Sequence, residues 1–322
     1  MLNRSLINKS IVESRLLLVC CLTALFGFCW TRVWLVSQFE MSRFQTIVEQ
    51  FQQFERFFPV PFEQLFTYAG RIALTYDEPI VIVCMSVWSI ARGSDCISGE
   101  IGRGTMEMLL AQPVSRLQVL CSHALVTIGG TGLLATASWL GIYVGIQTTI
   151  VDEPAPAARL TIPWFDIDLP NPLAQPEMQR VPMRERVEAA WFVPAAFNLF
   201  SLGVFAAGLS TLLSAFDRYR WRTIGIMVGI YFVQMVIKIV GLAAEHLSWL
   251  GRLTFFTAYE PERFVSVAIY HAESTWSIWF HDAQGNRGLG PLGYNLILLG
   301  IGLACFVGAS VVFRRRDLPA PL

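Results

Sequence analysis

The sequence predicts an all-α integral membrane protein with six transmembrane helices, and three observations carry that expectation. Of 322 residues, 54% are hydrophobic and only 15% are charged, whereas a water-soluble domain carries about 25% charged residues to wet its surface. Six segments are long and apolar enough to cross a hydrocarbon core of about 30 Å, which takes roughly 20 residues in a helix. Basic residues cluster at alternating ends of those segments, the pattern that orients membrane proteins.

The predicted spans run approximately over Leu16–Ser37, Pro79–Ile97, Leu117–Ile150, Trp191–Phe216, Thr223–Glu245 and Pro291–Phe313, within a single transmembrane domain covering 1–322. The first is preceded by Arg4, Lys9 and Arg15. It has no small-x-small cleavage pattern and is bulky throughout, with Phe26, Phe28, Trp30 and Trp34, so it reads as a retained anchor and not a signal peptide. Residues 1–15, with Leu2, Leu6, Ile7 and Ile11 against Asn3, Lys9 and Glu13, read as a short amphipathic elbow helix on the membrane surface.

Arg218, Arg220 and Arg222 fill the tight link after the fourth span, and Arg314, Arg315 and Arg316 follow the sixth. With the basic N-terminal segment, these clusters are consistent only if both termini are cytoplasmic in a cell membrane. Three longer stretches then lie outside. In 38–78, Phe44, Ile47, Phe51, Phe54 and Phe58 recur at steps of three or four, a helical apolar stripe suited to the membrane surface. The stretch 151–190 carries seven prolines, which forbid a continuous helix and predict an extended cap. The stretch 246–290 predicts two short helices around a polar turn.

Composition and spacing exclude several function classes. The formal net charge is zero, so no general basic field argues for nucleic acid. All seven cysteines lie in or beside apolar runs, with no CxxC pair and no metal-ligand spacing to the four histidines. A phosphate-cradling GxxxxGK[ST] loop needs a lysine after glycine. The two lysines, Lys9 and Lys238, follow Asn8 and Ile237. No HExxH or GxSxG supports an intramembrane hydrolase, and no catalytic residue is assigned.

The informative stretch is the predicted cytoplasmic loop 98–116, between the second and third spans. Gly99, Gly102 and Gly104 are expected to break the helix of the second span. Thr105 is a candidate N-cap, with Glu107 in the first turn facing the helix dipole. Met106, Met108, Leu109 and Leu110 make a short apolar helix that Pro113 cannot continue. Ser115 and Gln118 form a capping-box pattern that starts the third span. One short helix, fastened at each end to a span, is a lever that a soluble partner can move.

The run Gly99-Glu100, then Arg103-Gly104-Thr105, Glu107, the Leu109-Leu110 pair and Gln112-Pro113-Val114-Ser115-Arg116 resembles the signature of permease subunits of the type-two ABC exporters, the ABC-2 family. There too it lies between the second and third of six spans. The chain departs from the pattern at Ile101 and Gly102, where members commonly carry charged residues. The resemblance implies that 98–116 holds the coupling helix seated on a separate ATPase subunit. Glu100, Arg103, Gly104, Thr105, Glu107, Leu109, Leu110, Pro113 and Arg116 are then the coupling residues. It also implies that the N-terminal segment is the connecting helix, and that a second permease copy or paralogue completes a dimer among membrane lipids. This chain then needs no cofactor of its own, because ATP and Mg bind the partner.

Weaker signals are Gln234 and Lys238, one turn apart in the fifth span and a candidate intramembrane polar site, although Lys238 is also placed to snorkel. Arg92 and Asp95, three apart, form a local ion pair on one helix face. Gly141 with Gly145, and Gly203 with Ala207, make small-xxx-small surfaces that serve packing within one chain or contact between two. Two rival functions are a membrane subunit that transmits force to an external partner without moving solute, and an ion-coupled secondary transporter. The second predicts paired interrupted spans and buried mid-span carboxylates, and the sequence has neither.

Overall fold

A computed structural model describes residues 3–38, 67–154, 159–162, 167–170, 178–243, 245–281 and 287–316. Among them, six helices are long and apolar enough to cross a membrane, in agreement with the all-α, multi-pass expectation. The first is α1 (Arg4–Gln38). A short α2 (Tyr68–Ala73) and a 3-10 turn lead into α3 (Pro79–Ser94). The loop helix α4 (Thr105–Leu110) precedes α5 (Arg116–Thr148). Then come α6 (Val193–Phe216), α7 (Arg220–Ala243), the short α8 (Pro261–Tyr270) and α9 (Pro291–Arg315).

Most starts and stops follow from local chemistry. Proline occupies the first turn of α3, α6, α8 and α9, where its missing N–H is no loss. Ser115 and Gln118 complete the predicted capping box of α5. The N-terminal segment is not a separate elbow: its turns continue into α1 without a break. No proline or glycine interrupts residues 4–26, and the hydroxyl of Ser14 bonds back to the carbonyl of Ser10. At 35 residues, α1 is roughly 50 Å long, so its first turns project beyond a bilayer core.

The start of α1, the end of α9 and α4 share one end of the bundle, hereafter the terminal face. The opposite face carries the connections. Two antiparallel pairs occupy the proline-rich stretch: β1 (Ile150–Pro154) with β4 (Met178–Pro182), and β2 (Arg159–Ile162) with β3 (Ile167–Pro170). The expected extended cap is therefore strand-paired in part. Between α7 and α9 the two expected short helices become a 3-10 segment Glu245–Leu253, then α8, then a hairpin of β5 (Trp279–His281) and β6 (Arg287–Leu289). The stripe at Phe44, Ile47, Phe51, Phe54 and Phe58 lies outside the described residues.

Lipid offers no hydrophobic drive between spans, so close packing of small residues and buried hydrogen bonds holds them together. Gly141 and Gly145 of α5 lie against the backbone at Phe26 and the side chain of Val33 on α1. Gly203 of α6 meets Thr131 of α5 and Met85 of α3. Both small-residue surfaces are therefore spent on packing inside one chain. Trp88 is fully buried against Gly130, with its indole N–H on the carbonyl of Thr127 at 3.1 Å. Asn198 of α6 donates to the side-chain oxygen of Asn295 on α9 at 2.9 Å and to the carbonyl of Ala258 at 3.0 Å.

Candidate functional site

The loop between α3 and α5 starts later than the glycines suggest. After Ser94 the helix widens into a π turn over Asp95–Gly99 and resumes for Glu100–Gly102. Gly99 and Gly102 are helical, and the break falls at Gly104 alone, whose φ of +71° is left-handed, a conformation that glycine adopts without the steric cost of a Cβ. Gly104, not Thr105, is the N-cap of α4, and it has no side chain to cap with. Thr105 turns back instead, and its hydroxyl donates to both the carboxylate and the carbonyl of Glu100.

Glu100 is buried and is the centre of the loop's anchorage. It accepts from Lys9 of α1 at 2.7 Å and from Arg103 at 3.1 Å. One turn earlier, Asp95 faces three guanidiniums: Arg103 at 2.7 Å, Arg220 of α7 at 3.2 Å and Arg92 at 3.8 Å. The expected Arg92–Asp95 pair therefore exists as one edge of a larger network. Arg92 also donates to the hydroxyl of Ser10 on α1. These bonds to Asp95 and Glu100 push the Arg103 pKa above its ordinary value, which holds it charged. The carboxylate oxygens of Glu13, Asp95 and Glu100 lie within 4.8 Å of one another, but Lys9, Arg92, Arg103 and Arg220 already surround them.

Packing completes the anchorage. Met106 of α4 is buried in a small cluster with Cys96, Ile97, Leu120, Ala215, Ala309 and Phe313, which are drawn from the terminal ends of α3, α5, α6 and α9. Leu109 and Leu110 are half-buried, while Glu107, Met108, Gln112 and Pro113 are exposed. Arg116 reaches across to the end of α9, donating to the carbonyls of Phe313 at 2.9 Å and Arg316 at 2.6 Å. Arg316 in turn donates to the carbonyls of Ala215 and Asp217 after α6. All six spans are thus tied to the loop, α6 through Ala215 in the Met106 cluster and through Arg316.

Sequence reasoning placed Glu100, Arg103, Gly104, Thr105, Glu107, Leu109, Leu110, Pro113 and Arg116 in one loop, and the structure keeps them together. It missed Lys9 as a partner of Glu100, Asp95 as the hub, and Arg220 as a ligand of that hub. The available signal was the buried position of two acids beside arginines at the end of an apolar span, where an unpaired charge is costly. Gln234 and Lys238 lie away from this site, near the opposite face. The Gln234 side chain accepts from the backbone of Phe255 at 3.3 Å, and Lys238 donates to the carbonyl of Phe256 at 3.5 Å.

Residues 8–152, a little under half of the chain, match the ABC-2 family transporter proteins. The matched part holds α1, α3, α4 and α5, and with them the whole loop motif. No curated protein matches the chain. The match supports a membrane permease component of an ABC transporter, and such components generally lack an ATPase motif of their own.

Proposed function

We propose that this chain, a multi-pass membrane protein whose residues 8–152 match the ABC-2 family, is the permease subunit of an ATP-driven exporter. It works with a separate ATPase subunit seated on α4, and a second permease copy or paralogue completes the complex. The terminal face is then cytoplasmic in a cell membrane, as the basic residues at Arg218, Arg314 and Arg315 favour. ATP and Mg belong to the partner.

The observation that carries this reading is the two-sidedness of α4. One side is pegged into the ends of four spans by Met106 and reaches α1 and α7 through the Glu100 and Asp95 network. The other presents Glu107 and Met108, the latter 72% exposed, to whatever lies beyond the membrane. A load placed on that surface passes to the whole bundle, because the contacts beneath it are buried ion pairs and packed side chains. No bond needs to be made or broken in this chain for such a transfer.

Force transmission to an external partner uses the same lever, and the paired strands β1 and β4 between α5 and α6 give it a surface to act on. Export and force transmission separate in a transport assay with the reconstituted complex. For the coupling itself, Glu107→Lys reverses the charge of an exposed side chain with no ion pair among the described residues. It is expected to lower co-purification of the ATPase, or its stimulation by the permease, about tenfold, the cost of one reversed rim contact. Unchanged melting with unchanged coupling in this variant removes α4 from the role.

A further inference from the structure

α1 and α7 stand apart on the terminal half of the bundle, and α3 forms the floor between them. Two cavities open there. Toward the membrane interior, a groove of about 550 Å³ runs between α3 and α7, walled by Val83, Val87 and Ile90 on one side and by Ile224, Val228 and Phe232 on the other. At the terminal face, a second cavity of about 370 Å³ is lined by Glu13, Arg92, Asp95, Arg103 and Arg220. Ala91 lines both, so the apolar groove leads directly to the charged pocket.

The pocket is not electrically balanced. Among the residues lining it, Arg92, Arg103 and Arg220 face Glu13 and Asp95, and the Lys9–Glu100 pair beside it is balanced, which leaves one positive charge over. Arg92, 3% exposed, has its Nε buried with no hydrogen-bond partner, and an unpaired buried donor is costly. A single negative charge attached to a long apolar tail satisfies both features at once. From Ile90 to Val83 and beyond to Pro79, the α3 wall rises about 16 Å at 1.5 Å per residue, on the scale of an acyl chain.

We propose that this continuous groove and pocket hold one anionic phospholipid. Its phosphodiester sits among Arg92, Arg103 and Arg220, and an acyl chain lies between α3 and α7. Basic pockets between spans at the cytoplasmic surface are the sites where anionic headgroups bind, and a phosphodiester accepts guanidinium donors in pairs. The lipid comes from the leaflet at the terminal face, which is the inner one on the orientation proposed above. The headgroup then touches Arg103 and Arg220, the same residues that hold Asp95 and the coupling loop.

The test uses the full chain purified and placed in nanodiscs of phosphatidylcholine, with phosphatidylglycerol added. Native mass spectrometry counts retained lipid, and thermal unfolding reads its effect. One phosphatidylglycerol per chain is expected to be retained and to raise the melting temperature, with neither effect from added phosphatidylcholine. Val87→Trp fills the groove without touching an arginine and is expected to weaken retention roughly tenfold; Val228→Trp does the same from the facing wall if the first variant folds poorly. Arg220→Gln is expected to erase the preference for the anionic lipid, and Arg220→Lys to keep part of it. Equal retention of both lipids by the wild-type chain overturns the proposal. So does stabilisation by inorganic phosphate alone, which marks a headgroup-free anion site. A lipid-free dimer whose contact includes Val87 also overturns it, since the groove is then a subunit interface. None of these readouts involves the ATPase, so a failed coupling experiment and a failed lipid experiment are separable.

Discussion

α6 and α7 are consecutive helices of 24 residues each, joined by a three-residue link, and both are apolar enough to cross a membrane. In the most apolar window of the span containing α6, 72% of residues are buried inside the chain; in that of α7 the share is 6%. The difference lies in side-chain size. α6 offers Gly203, Ala206, Ala207, Gly208 and Ser210 to its neighbours, and α3, α5 and α9 all close on it. α7 presents Val228, Phe232, Val233, Met235, Val236 and Ile239 outward, and it is held by Met227 and Tyr231 against α3 and α6 and by the segment 245–256. Inside a membrane, small residues bring helices together and large apolar ones face lipid or a ligand. The comparison therefore separates the hub of the bundle from its periphery.

The sharpest way to break the comparison is to enlarge the hub. A Cβ at Gly208 would stand 2.2 Å from the carbonyl oxygen of Gly302 on α9, backbone against backbone, with no flexible side chain to yield. Gly208→Leu is expected to destabilise the protein by about 3 kcal/mol or more, read as loss of the folded fraction in a thermal or denaturant melt. A variant that melts like the parent would mean that α6 and α9 are not packed as described.

Next in size is the hub of charge at the terminal face. Asp95→Asn leaves Arg92 buried without its counter-ion, and breaking a buried pair in this way costs about 3 kcal/mol. Because Arg220 is one of the ligands of Asp95, the same change should loosen the start of α7. Hydrogen exchange at residues 220–226 should then rise while exchange in α6 stays slow. Equal exchange in both helices would remove the asymmetry between hub and periphery.

A smaller effect concerns the opposite face, where α8 packs against α6 and α2. Glu262 of α8 is buried, and desolvation, with the neighbouring Asp77 carboxyl, pushes its pKa well above the ordinary 4.5, while Lys238 of α7 acts the other way. A carboxyl with a raised folded value contributes stability that is complete below its unfolded value and is lost as pH rises through the folded one. Melting temperature should therefore fall with rising pH above about 4.5, and Glu262→Gln should flatten that slope. A slope unchanged by the substitution shows that Glu262 is not its source.

The smallest effect is expected on the outward side of α7. Gly229 has nothing within 4 Å of an added Cβ, so Gly229→Leu should change stability by no more than about 0.5 kcal/mol in a thermal melt. A large loss, or a change of oligomeric state, would show that a partner covers this side of α7.

Much of this organisation was legible in the chain itself. Runs of about 20 apolar residues must become helices in lipid, because no other local structure satisfies every backbone group there. Six spans were therefore readable. Within the motif from Gly99 to Arg116, the break at Gly104, the stop before Pro113 and the capping box at Ser115 and Gln118 formed as local chemistry requires. Reading failed where locality ended. The elbow merged with α1, because amphipathicity marks which side meets water and not where a helix stops. Thr105 lost the cap position, because Glu100, folded under it, is the better partner for its hydroxyl.

Sequence alone thus determined that the chain spans a membrane six times and carries a short helix in one exposed loop, since both follow from the solvent and from neighbours a few residues away. Only the tertiary structure decided that Lys9, Arg92, Asp95, Glu100, Arg103 and Arg220 meet, that α6 is central and α7 peripheral, and that an apolar groove ends on a basic pocket. Those facts depend on which faces of separate helices approach. Hydropathy is nearly the same all round a membrane helix, so it has no means of recording that choice.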